Sequence, residues 1–98
     1  MARRNAPSDD EPLAPAAIGA GSQTLMRGLD VLEALVDEQL TVGDLAERVG
    51  LNKSTTYRLA SALVDRGYLA ATPRAGYRLG PKLLALGSAA RDQVDLLQ

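Results

Sequence analysis

The chain has 98 residues, of which 46% are hydrophobic and 23% are charged, and its formal net charge is −1. This composition is ordinary for a globular chain with one small core. It contains no Cys and no His, which excludes disulfides, thiolate nucleophiles, imidazole bases and the usual zinc sites, so neither an enzyme nor a cofactor is expected. With no signal peptide and no apolar run of about 18 residues, we expect a cytoplasmic protein with no membrane contact.

The first elements are an arm and a helix. Residues 1–21 combine Pro, Ala, Gly and charges of both signs, which predicts a flexible N-terminal arm. The fold should begin near Ser22. Over about 23–37, apolar residues recur at steps of three and four, which predicts a helix with one buried face: Leu25, Leu29, Leu32, Leu35 and Val36.

A second helix is predicted over about 42–49. Thr41 and Asp44 have the spacing of a capping box, and Gly50 suits the left-handed backbone at a helix end. Asn52 is a good N-cap for the helix that follows, so the two helices meet through a turn of about three residues. This is the spacing of a helix-turn-helix.

The third helix, over about 53–66, has its inward side marked by four residues at helical spacing: Thr56, Leu59, Ala60 and Leu63. Two short strands follow at about 68–72 and 76–79, joined at residues 73–76. The predicted fold is therefore mainly α with a small β-hairpin, a winged helix-turn-helix.

A last helix is predicted over 81–98, because Pro81 suits a first helical turn. Its apolar stripe continues toward the end of the sequence: Leu83, Leu84, Leu86, Val94 and Leu97. The predicted organisation is an arm over 1–21, a winged helix-turn-helix over 22–80 and a linker helix over 81–98.

Three blocks, RGLDVLEAL, TVGDLAERVGLNKSTTYRLASALVDRGYL and GYRLGPKLLALG, occur in an order that resembles the N-terminal DNA-binding domain of the IclR-type bacterial transcription regulators. The resemblance implies a homodimer on palindromic operator DNA. It also implies that a small-molecule effector would act only through a C-terminal domain that is not in this chain. Thr56 departs from the aliphatic branched residue usual at its position, which predicts lower stability.

The outward side of the third helix carries the candidate DNA-binding residues. N-terminal residues of the second helix in a helix-turn-helix face base edges in the major groove. We expect Arg58 to contact a guanine, Ser54 and Thr55 to contact base edges or phosphate, and Lys53 and Tyr57 to contact phosphates. Alternatively, the hydroxyls only cap the helix and Arg58 is a solvated surface residue.

Basic residues outside this helix extend the predicted site. Arg74 lies at the hairpin tip, within reach of a phosphate or the minor groove, and Arg78 on the second strand is expected to support the same surface. Tyr77 is expected in the core. In the arm, Arg3 and Arg4 suit the minor groove but are followed by three acidic residues.

Charge is segregated along the chain. Residues 28–52 contain six acidic residues and one basic one, whereas residues 53–82 contain six basic residues and one acidic one. DNA affinity follows local neutralisation of phosphates, so the near-neutral net charge is compatible with a DNA-binding half.

Two other classes of function remain. The same winged helix is compatible with a protein-interaction module that binds an acidic protein surface without DNA. The other is a small enzyme or ligand-binding domain. The sequence argues against it, because it contains neither a glycine-rich phosphate loop nor paired carboxylates in an evident pocket.

Overall fold

The computed structural model describes residues 22–97. In this part the chain forms four helices and one antiparallel hairpin: α1 (Gln23–Ala34), α2 (Val42–Val49), α3 (Lys53–Asp65), β1 (Leu69–Thr72), β2 (Gly76–Leu79) and α4 (Lys82–Leu97). The predicted fold class, mainly α with a small β-hairpin, is confirmed. The predicted flexible arm over 1–21, with Arg3 and Arg4, lies outside the described residues.

The buried face of helix α1 overlaps the predicted one only in part, at Leu35, which is buried, and at Leu32, which packs against the core. Val31 and Leu35 are 0% and 3% exposed, whereas Leu25, Leu29 and Val36 are 63%, 41% and 65% exposed. The prediction that these last three residues lie on the buried face was therefore wrong. The helix also ends short of residue 37, because the N–H groups of Leu35 and Val36 donate to carbonyls three residues earlier and tighten the last turn.

Local hydrogen bonds form the turn between α2 and α3 as predicted. The Thr41 hydroxyl accepts a hydrogen bond of 3.2 Å from the Asp44 N–H at the start of α2. Gly50 has φ 76°, the left-handed conformation that ends this helix. Asn52 then caps α3, because its side-chain oxygen accepts a hydrogen bond of 2.7 Å from the Thr55 N–H.

The core is small and joins α1, α2, α3 and the hairpin. Its buried apolar members are Val31, Leu35, Leu40, Leu45, Ala60, Leu69 and Tyr77. The predicted burial of Tyr77 and of Thr56 is confirmed. Thr56 is 0% exposed, and its hydroxyl has no hydrogen-bond partner among the described residues.

The wing is anchored to the helical part by a backbone bridge. The two predicted strands are confirmed, apart from the first beginning at Leu69. Leu40 extends the sheet by one bridge, since the Tyr77 N–H donates to the Leu40 carbonyl at 2.8 Å and the Leu40 N–H donates to the Tyr77 carbonyl at 3.1 Å. Gly76 has φ 92°, and a Cβ at this position would lie 2.6 Å from the carbonyl carbon of Leu40. Only glycine allows this approach.

Helix α4 extends away from the core. Its start is held by a hydrogen bond of 2.9 Å from the Lys82 N–H to the Gly67 carbonyl, at the end of α3. Leu83 is half-buried, and from Leu84 through residue 95 the side chains are exposed, including Leu84 at 79%, Leu86 at 46% and Val94 at 53%. The predicted apolar stripe is exposed at these three positions, and no element within residues 22–97 covers it.

Candidate nucleic-acid interface

Helix α3 is anchored by one side and exposed on the other. Thr56 and Ala60, one helical turn apart, are both 0% exposed and fix the orientation of the helix. Thr55 is half-buried. In the first turn and a half, Ser54 and Arg58 are exposed on the opposite side, and Lys53 and Tyr57 are exposed at its flanks. The exposure expected of these four residues is confirmed.

A cleft of about 390 Å³ lies between α3 and the start of α1. Arg58 and Thr55 line it on the α3 side, and Thr24 and Arg27 line it on the α1 side. None of the described residues that line the cleft carries a carboxylate, so their polar side chains are guanidinium and hydroxyl donors.

The other side of α3 faces the wing across a depression of about 280 Å³. Tyr57 lines this depression from α3, Arg74 lines it from the hairpin, and Thr41 lines it from the start of α2. Tyr77 forms part of its inner wall. Burial raises the pKa of the Tyr77 phenol, and negative charge on nearby Tyr57 raises it further. The structure therefore brings the predicted Arg74 and Tyr57 to one surface.

Arg78 lies elsewhere. Neighbouring residues of a strand point to opposite faces, so burial of Tyr77 turns Arg78 to the outer face of the hairpin, where it is exposed. There it lines a separate depression with Pro81 and Leu84 near the start of α4. The structure does not bring Arg78 to the surface formed by Arg74 and α3.

Lys53 sits beside the first turn of α2. A Cβ added to Gly43 would lie 3.4 Å from Cε of Lys53, so the lysine stem passes over this turn. The lysine side chain therefore lies near the helix-turn-helix corner.

Arg27 and Thr24 were missed by reasoning from the sequence. Arg27 lies four residues before Val31 and therefore on the same face of α1, but the sequence did not show that Val31 is the buried residue. The predicted buried face of α1 was centred on Leu25 and Leu29 instead, which left Arg27 outside the predicted site.

The charges of the two halves are paired differently. Arg48 donates to Glu38 at 3.2 Å, and this is the one ion pair found within residues 22–97. Arg48, the single basic residue of the acidic segment 28–52, is therefore already paired with a carboxylate. The basic side chains over 53–82 have no carboxylate partner in the described part of the chain, which leaves them available for an anionic ligand.

The described residues form neither a cluster that could hold a metal ion nor a helix that could span a membrane. Residues 22–97 contain no cluster of three acidic residues placed to hold a metal ion. Over the same range, no helix has the length and hydropathy needed to cross a bilayer.

The chain is similar in sequence to known proteins. Residues 24–73 match the sequence profile of the IclR helix-turn-helix domain. The chain is 41% identical over 81 residues to the DNA-binding transcriptional repressor YiaJ of Escherichia coli, covering 80% of this chain and 29% of that relative. It thus spans less than a third of the length of the curated relatives it matches.

Solved structures agree in both fold and sequence. The crystal structure of Pseudomonas aeruginosa HmgR superimposes with a TM-score of 0.68 at 32% identity, over 76% of this chain and 33% of that one. An IclR family transcriptional regulator from Brucella abortus gives a TM-score of 0.63 at 36% identity, over 80% and 32% of the two chains. The chain therefore belongs to the IclR helix-turn-helix family.

Proposed function

We propose that this chain binds double-stranded DNA sequence-specifically, as the DNA-binding domain of an IclR-type transcription regulator. The observation that supports the proposal is that α3 is buried on one side and exposed on the other. Thr56 and Ala60 are fully buried on its inner side, while its first turns present exposed hydrogen-bond donors beside a basic hairpin tip. In helix-turn-helix proteins these positions face base edges in the major groove.

Each polar residue has a proposed role that follows from its position. Arg58 contacts a guanine through its planar guanidinium, and Ser54 and Thr55 contact neighbouring base edges or phosphate oxygens. Lys53 and Tyr57, at the flanks of the strip, contact phosphates.

Hairpin residues complete the proposed interface. Arg74 contacts the backbone or the minor groove beside the segment that α3 enters. Arg78, which lies on the outer face of the hairpin, adds its charge to the basic half of the domain, and this general attraction raises the association rate without reading sequence.

A homodimer on a palindromic operator is part of the proposal. The exposed Leu25, Met26 and Leu29 on α1 and the exposed Leu84 and Leu86 on α4 are apolar surfaces of a kind that association covers. A C-terminal domain outside this chain would bind the small-molecule effector, and the protein would act in the cytoplasm without enzymatic activity.

The test is binding of labelled duplexes measured by fluorescence anisotropy. One duplex is enriched by this chain from a random pool, and the other is a scrambled duplex of the same composition. Arg58→Ala is expected to lose about 1–3 kcal/mol of discrimination between them, about 5- to 150-fold. Arg66→Ala, which removes the same charge at the far end of α3, is the matched control and should keep the discrimination.

Two outcomes would overturn the proposal. If Arg58→Ala leaves both affinity and sequence preference unchanged, α3 does not read bases through this residue. If the wild-type chain enriches no duplex from the random pool even at low salt, the protein-interaction module becomes the better account of the same surface.

A further inference from the structure

The cleft between α1 and α3 is a second polar surface beside the proposed recognition helix. We propose that it is a phosphate site, in which Arg27 contacts a phosphate of the DNA backbone next to the base that Arg58 reads. This inference rests on the proposed function and adds a residue of α1 to it. Hydroxyl groups of Thr24 and Thr55 line the same cleft and supply further donors.

Arg27 lies on the side of α1 that faces α3. Arg27 is half-buried, whereas the acidic residues Asp30 and Glu33 of the same helix are exposed. It lies one turn before the fully buried Val31, so packing of α1 on the core directs the face of Arg27 toward α3.

The cleft between α1 and α3 carries positive charge. Arg27 and Arg58 come from two different helices and line one cleft, and no carboxylate of residues 22–97 lines it with them. Neither arginine has an ion-pair partner in the described part of the chain, where the single pair joins Arg48 to Glu38. Two guanidinium groups that share a cleft repel each other, and a phosphate between or beside them reverses the sign of that interaction.

The donor groups of the cleft suit a phosphate. The guanidinium presents a planar fork of donors that fits two phosphate oxygens, and hydroxyl donors complete the coordination of such an anion. The cleft volume of about 390 Å³ is open on one side and accommodates a phosphate with water. The ordinary alternative is that Arg27 only covers Leu59 with its aliphatic stem.

The experiment uses Arg27→Met, which keeps an unbranched apolar stem and removes the charge, beside Arg27→Lys, which keeps the charge without the fork. For each variant, affinity for the enriched and scrambled duplexes is measured at several salt concentrations. We expect Arg27→Met to weaken binding to both duplexes by a similar factor and to reduce the slope of log affinity against log salt by about 0.9. Arg27→Lys should restore the slope without restoring the full affinity.

A methylphosphonate scan then locates the contact. Single neutral linkages are placed along the enriched duplex, and the wild-type chain should lose about tenfold in affinity at one phosphate beside the base whose identity Arg58→Ala relaxes. Arg27→Met should lose nothing further at that phosphate, because the partner is already absent.

The outcomes separate this inference from the proposed function. Unchanged affinity and slope for Arg27→Met would overturn the phosphate site, and so would a reduced slope with no coupled phosphate, which means general attraction only. In either case, retained discrimination by the wild type and its loss in Arg58→Ala would leave the proposed function intact. Thermal unfolding of Arg27→Met should match the wild type, and a large loss of stability would assign the residue to packing instead.

Discussion

The hydroxyl of Thr56 leads to a prediction in which a substitution on the recognition helix makes the domain more stable. Thr56 is 0% exposed, lies against the core from α3, and has no hydrogen-bond partner for its Oγ1 atom among the described residues. A buried polar group without a partner has lost its water and gained nothing in exchange. Replacing the hydroxyl by a methyl group in Thr56→Val removes that cost at nearly the same volume.

The magnitude follows from the terms that change. An unsatisfied buried hydroxyl costs about 1–3 kcal/mol, and the helix propensities of Thr and Val are similar. Because β-branching is kept, the side-chain entropy changes little. We therefore expect Thr56→Val to raise the free energy of unfolding by about 1 kcal/mol, which corresponds to about 4–8 °C in Tm for a domain of this size.

The measurement is urea unfolding followed by circular dichroism, with a thermal scan beside it. Thr56→Ser is the matched control, since it keeps the hydroxyl and deletes the buried methyl group, and it should lower stability by about 1 kcal/mol. A lower stability in Thr56→Val would refute the reasoning, because it would mean that the hydroxyl has a partner, for example the carbonyl of Asn52 one turn earlier. Sequence preference for DNA should be the same in both variants.

Two further predictions concern the wing. Gly76→Ala should lower the free energy of unfolding by about 2 kcal/mol more than Gly50→Ala, because both positions have positive φ but only at Gly76 would the new Cβ meet the Leu40 backbone; equal losses in chemical unfolding would mean that the hairpin shifts freely. Tyr77 should make stability fall at high pH. Its folded-state pKa lies above the ordinary value of 10.0, so its contribution is fully present below about pH 10 and is lost as pH rises through the folded pKa. Tyr77→Phe should flatten that fall in unfolding curves from about pH 8 to about pH 11, and an unchanged fall would assign it to other groups.

Local signals in the sequence were sufficient for the helix-turn-helix. The Thr41 and Asn52 caps and the left-handed Gly50 act through hydrogen bonds and backbone sterics within four residues. Such interactions depend on nothing distant, so the bounds of α2 and the start of α3 follow from the sequence alone. The outward position of Arg58 follows in the same way, from helical geometry relative to the inward Thr56.

Contacts between distant segments decided the rest. Helix α1 has apolar residues on more than one face, and only its packing on α2 and α3 selects Val31 over Leu29 for burial. That choice turns Arg27 toward Arg58, which lies 31 positions later in the sequence.

The orientation of the hairpin also depends on contacts between distant segments. From the sequence, Arg78 was expected to support the same surface as Arg74, but the backbone bridge between Leu40 and Tyr77 fixes which face of β2 is buried. It thereby separates Arg78 from the surface of Arg74 and α3. Hydrophobic periodicity identifies which faces of an element can be buried, but the choice among them is made by the free energy of packing against segments far away in the chain.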